Sequence, residues 1–220
     1  MHPRSRILLL GLALALALVL ALALVLILDR PAPRSGAGTT AACVDARAGA
    51  GFDGALLPGG LRAPNFTLTA QRGRRISLRQ YRGRVAILTF LSPACLPTCP
   101  LVAQQIRGAL DELDAHPALQ PAVLIVSADP AVDTPAAVGR FLAEAGLAGR
   151  VEYLSGTPAE LRPVWRAYGV IPAQLADAGS PHPASVLLID RAGDERDLFE
   201  VEQLTPEGLS HDVRRIEGAG

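Results

Sequence analysis

Cys95 and Cys99 stand four residues apart in the run FLSPACLPTCP, directly after the apolar stretch VAILTF. On a helical turn that spacing puts both side chains on one face, with Cβ atoms about 5–6 Å apart. Two thiolates so placed chelate one soft metal ion or close on each other as a disulfide, so the chemistry open to them is copper binding, redox exchange, or both. The bland alternative is a pair of small residues filling a core, since free cysteine is often buried. A Pro-rich passage from strand to helix argues against it, because reactive groups concentrate in such loops.

The other soft ligands are few. The only methionine is Met1, which removes thioether sites, and every basic residue is Arg, which removes lysine chemistry. Beyond the pair, the residues after the apolar stretch at 7–28 offer Cys43 and the imidazoles of His116, His182 and His211. Three cysteines, an odd number, do not make a purely structural disulfide framework. Cys43 sits in TTAACVD, far behind the apolar stretch at residues 7–28 and with Thr40 rather than an aliphatic residue three positions back. It therefore reads as an unpaired thiol and not as a lipid attachment point. His116 adjoins Pro117 at an expected helix end, where it would meet terminal carbonyls, and His211 lies on the last helix without a ligand-spaced partner. Asp129 and Asp133 read as a turn residue and a helix cap, and Trp165 and Tyr168 as packing residues. On spacing alone His182 is a solvated loop residue.

The elements that must position these groups follow from punctuation and period. Residues 7–28 carry no charge and are almost wholly Leu, Ala, Val and Ile. At about 1.5 Å per residue they span roughly 33 Å, enough to cross a bilayer. A cleaved signal has a shorter apolar core and a small-residue cleavage site, so an uncleaved anchor is expected. Arg4 and Arg6 precede it, whereas Asp29 and Arg30 follow as a near-neutral pair. The positive-inside rule then keeps residues 1–6 in the cytoplasm and exports the rest. Residues 29–57, rich in Pro, Ala, Gly, Ser and Thr, read as a flexible linker.

From residue 58 to 220 the pattern is that of a folded domain. NFTLTA and RRISL form a hairpin, and VAILTFL after Gly83 is a buried central strand. A helix runs from about Cys99 to Ala115, with Pro100 in its first turn. The strand AVLIVS covers residues 122–127, and Asp133 or Thr134 caps a helix with Pro135 at its first position. VEYL is a short strand, and Thr157, Pro158 and Glu160 open a helix ending at Tyr168 and Gly169. After an irregular stretch over 170–183, SVLLID, the turn RAGD and ERDLFEV make a hairpin, followed by a helix over 205–216. The order predicts an α/β thioredoxin-like fold with an extra N-terminal β-hairpin, preceded by one transmembrane helix. Arg and acidic residues balance at 21 each, with no basic stripe, which excludes a nucleic-acid surface.

Over residues 63–217 the chain resembles the Sco/SenC family of membrane-tethered copper chaperones for cytochrome c oxidase assembly. The resemblance rests on APNFTL at Ala63–Leu68, CLPTCP at Cys95–Pro100, SADPAVDTP at Ser127–Pro135, GTPAEL at Gly156–Leu161, AYGV at Ala167–Val170, and His182 eight residues before Asp190. It implies that Cys95, Cys99 and His182 bind one copper ion, as Cu(I) or Cu(II). It also implies a copper-accepting oxidase subunit as partner, with a thiol reductant or upstream copper donor on the other side. Leu96 and Pro97 stand where the family usually has Pro and an acidic residue, and Pro181 where it usually has Asp. A thiol-disulfide oxidoreductase using the same redox-active pair, a peroxiredoxin-like peroxidase, and a copper or redox sensor are the competing readings.

Overall fold

The computed structural model describes residues 51–116, 119–171 and 184–218. The expected membrane span at 7–28, Cys43 and His182 lie outside them. Among the described residues no helix is long and apolar enough to cross a membrane.

Eight strands form one sheet: β1 (Ala55–Leu56), β2 (Thr67–Ala70), β3 (Arg75–Ser77), β4 (Ala86–Leu91), β5 (Ala122–Ser127), β6 (Glu152–Ser155), β7 (Val186–Ile189) and β8 (Glu195–Phe199). Their spatial order is β1-β8-β7-β4-β5-β6-β2-β3. Four α-helices accompany them, α1 (Thr98–Leu113), α2 (Pro135–Glu144), α3 (Pro158–Ala167) and α4 (Pro206–Gly218), with a short 3-10 turn at Leu78–Tyr81. The middle strands β4, β5 and β6 run parallel. β7 is antiparallel to β4, and β8 to β7. The β2–β3 hairpin extends the other side through an antiparallel contact with β6. β1 pairs with β8 and lies within the last residues that composition had assigned to the linker.

The central strands are continuous apolar runs because both faces of the sheet are covered. All six residues of β5 and all four of β7 are buried. Alternation along β4 sends successive side chains to opposite layers. Ile87 joins a core with Val102 and Ile106 of α1, Phe141 of α2 and Val213 of α4, whereas Leu88 joins one with Leu161 and Trp165 of α3 and Leu68 of the hairpin. The helix caps use the predicted chemistry. Thr134 accepts the Ala137 N–H with Pro135 at the first helical position. Thr157 and Glu160 form a reciprocal capping box at the start of α3. In the RAGD turn Gly193 takes φ of 86°, a conformation open to glycine at little cost.

What this architecture does for the chemistry is to end β4 and β5 side by side. Leu91 pairs with Ser127 as the last residue of each strand. The loops that follow, one carrying Cys95 and the other Asp133, therefore leave the same edge of the sheet.

Candidate metal centre

β4 delivers the chain to Ser92, whose hydroxyl accepts the Ala94 N–H at 3.2 Å and whose carbonyl accepts the Cys95 N–H at 3.1 Å. This tight turn aims Cys95 back towards the head of α1. The Leu96–Pro97 peptide is cis. Pro97 is the residue just ahead of the helix, and Cys99 is its second residue. Pro100 follows without cost, since N–H groups of the first turn have no helical partner to lose. The Cys99 N–H donates to the Cys95 carbonyl at 3.2 Å.

Cys95 and Cys99 are joined as a disulfide with Cα atoms 5.5 Å apart. The four-residue spacing thus brings the two sulfurs together as the sequence predicted, here in the oxidised form. Their surroundings differ. Cys99 is 2% exposed and packs against the α1 side of the core, whereas Cys95 is half-buried beside it. Leu96, between them, is 75% exposed. Any incoming thiol or metal donor therefore reaches Cys95 first. No side chain caps the start of α1 and no acidic residue lies in its first turn. The positive end of the helix dipole is left for the thiolates themselves, which favours their ionised form once reduced.

A second polar group stands close behind this loop. Tyr153, fully buried in β6, places its hydroxyl 3.1 Å from the Leu91 carbonyl and 2.9 Å from Asp133 Oδ2. The Leu91 carbonyl also accepts the Ala128 N–H at 3.0 Å. Burial pushes the Asp133 carboxyl up to about 6, opposed by the neighbouring Ser127 and Tyr153 hydroxyls and helped by the Asp129 charge. Burial, with the facing Asp133, pushes the Tyr153 phenol up as well. A phenol has one proton. With Asp133 protonated, the acid donates to the tyrosine oxygen and the phenol proton goes to Leu91; with Asp133 ionised, the carboxylate competes for it. Asp133 is thus not the helix cap, which is Thr134. Asp129 does make its expected turn, accepting the Ala131 N–H at 3.2 Å. The signal for the tyrosine was its place beside Leu154 in the middle of a short strand, because a buried hydroxyl must find a partner.

Trp165 and Tyr168 pack as expected, each with a polar anchor. The Trp165 indole donates to the Ser127 carbonyl at 2.8 Å, and the Tyr168 hydroxyl to the Pro64 carbonyl at 2.6 Å. At His116 it is the backbone N–H that meets a terminal carbonyl, that of Leu113.

The SCO1/SenC family model matches residues 58–217. A protein of Stutzerimonas stutzeri named for copper binding is 29% identical over 147 residues, covering 64% of this chain and 70% of that one. The bovine mitochondrial protein SCO2 homolog is 27% identical over 149 residues, covering 67% of this chain; the match spans 52% of the bovine protein's length. Among solved structures, copper-bound ScoI of Bradyrhizobium japonicum matches with a TM-score of 0.54 and 27% identity, over 70% of this chain and 99% of that one.

Proposed function

This chain belongs to the SCO1/SenC family, and from that premise we propose that it is a membrane-anchored copper chaperone delivering copper to the binuclear copper centre of cytochrome c oxidase. The observation that carries this reading is the cysteine pair at the head of α1, one sulfur reachable and one buried, 5.5 Å apart at Cα. The copper-binding name of the bacterial relative and the copper in the Bradyrhizobium structure support the choice of metal.

Copper is cargo in this scheme. The disulfide first takes up two electrons and two protons from a thiol reductant, giving two thiols, and each thiol loses its proton as its sulfur binds the ion. Thiolates select Cu(I), while an imidazole serves Cu(I) and Cu(II) alike. Cys95, Cys99 and His182 would hold either state and leave a coordination position open. An acceptor's ligand can then bind before the donor's ligands leave, and the half-exposed Cys95 is the sulfur it meets.

The disulfide itself favours a second reading, a thiol-disulfide oxidoreductase acting on extracytoplasmic cysteines. One titration separates the two. The reduced, metal-free full chain should take up about one copper, and Cys95→Ser or Cys99→Ser should abolish it. His182→Ala should weaken Cu(II) at least tenfold more than Cu(I), because Cu(II) depends on the nitrogen ligand. No copper uptake, with rapid disulfide exchange intact, would leave the oxidoreductase.

A further inference from the structure

Away from the cysteines, α4 and β8 enclose a second group of potential ligands. Asp197 of β8 stands in register with Leu188, and Leu188 with Ile87. It is therefore two strands across from β4 and four residues short of Leu91, about 13 Å along the strand. Asp197 and Asp212 are both fully buried. Asp212 is well supplied: its Oδ2 accepts the N–H groups of Asp53 and Gly54 at 2.9 and 3.0 Å. Asp197 is not, for neither of its oxygens has a hydrogen-bond partner.

Asp197 nevertheless points into the same place. A Cβ on Gly54 would come within 2.5 and 2.6 Å of its two oxygens, so the chain passes the carboxylate only because that residue is glycine. At the rim His211 Nδ1 lies 2.7 Å from Asp53 Oδ2 and 3.0 Å from Asp212 Oδ1. One ring nitrogen faces two carboxylates, and it can give a proton to only one. Sequence spacing left His211 without a partner because Asp53 enters from the other end of the domain. A buried acid in the position of Asp197 must either keep a proton or face a cation.

We propose that Asp53, His211 and Asp212 bind a divalent first-row cation of the zinc class, with the buried Asp197 carboxylate completing the charge behind it. The three ligand atoms lie within 4.8 Å of one another. Tetrahedral zinc, with bonds of about 2.0–2.1 Å, asks for ligand-to-ligand edges near 3.3 Å, so the two short edges open by only a few tenths of an ångström. An imidazole among carboxylates suits zinc better than magnesium or calcium, which prefer oxygen alone. The half-exposed Asp53 and His211 side chains give the ion its way in.

The test uses the full chain with the Cys95–Cys99 disulfide intact, so that those thiols take no part, and Zn²⁺ as the probe. Wild type should bind about one Zn²⁺ saturably and melt at a higher temperature with it. His211→Ala, at a half-exposed position, and Asp197→Asn, isosteric with the native residue, should each weaken zinc at least tenfold and lose the thermal gain. His182→Ala should keep both. Absence of saturable zinc binding in wild type, or unchanged affinity in either His211→Ala or Asp197→Asn, would overturn the site and leave Asp197 as a protonated core acid. Copper uptake by the reduced cysteines is read separately, so neither result decides the other.

Discussion

Asp133 is the residue at which burial and titration bear most directly on the ground beneath the cysteine loop. Its carboxyl titrates near 6 in the fold against 3.8 when unfolded, so between those values the folded state holds the extra proton. The contribution of Asp133 to stability is therefore greatest below about pH 4, falls as pH rises to about 6, and stays at the lower level above. A rise from 3.8 to about 6 corresponds to about 3 kcal/mol, which partial exposure reduces to about 1–2 kcal/mol. Asp133→Asn, which cannot ionise, should remove that fall. Urea unfolding of residues 51–220 should show the variant gaining about 1–2 kcal/mol on wild type between pH 4 and pH 7; parallel curves at both pH values would reject the assignment. The sequence exposed the cysteines because their relation is local, four residues on one turn. It could not expose the Tyr153–Asp133 bond, which joins a strand to a loop twenty residues earlier through tertiary packing alone.

Among the elements, α3 shows how a cap at one end serves packing at the other. Thr157 Oγ1 accepts the Glu160 N–H at 3.3 Å, and Glu160 Oε2 accepts the Thr157 N–H at 2.9 Å. A turn and a half later Trp165, 4% exposed, reaches the Ser127 carbonyl at the end of β5. Thr157→Ala should cost about 1 kcal/mol, seen as a lower urea midpoint with an unchanged slope, while Trp165 fluorescence in the folded state stays as in wild type. A shifted native spectrum would mean that the cap also sets the helix position. Strong local signals of this kind, Thr-Pro caps, a Gly turn and continuous apolar runs, are why β5, α2, α3 and the β7–β8 hairpin lie within a residue or two of their predicted bounds. β1 had no such signal. Two residues in a Pro/Gly-rich stretch become a strand only because the edge of β8 is there to pair with, and that edge is set by residues 140 positions on.

At the scale of the whole molecule, three features of different origin bear on where the domain works. Residues 7–28 are long and apolar enough to span a bilayer, and the arginines at 4 and 6 bias the amino end to the cytoplasm. The paired cysteines form a disulfide, a bond that persists in oxidising compartments. For an acceptor in the same membrane, a linker over residues 29–50 would hold the carrier nearby, replacing a dilute encounter by a high effective concentration. We therefore expect a single-pass cell-membrane protein with residues 58–220 extracytoplasmic. Protease added to intact spheroplasts should digest that domain while cytoplasmic markers survive, and the protein should fractionate with membranes until residues 7–28 are deleted. Deletion should release a soluble domain that still takes up copper but supports oxidase assembly poorly, because the tether and not the site has been lost. A domain protected alongside the cytoplasmic markers would reverse the orientation and, with it, the case for an extracytoplasmic acceptor.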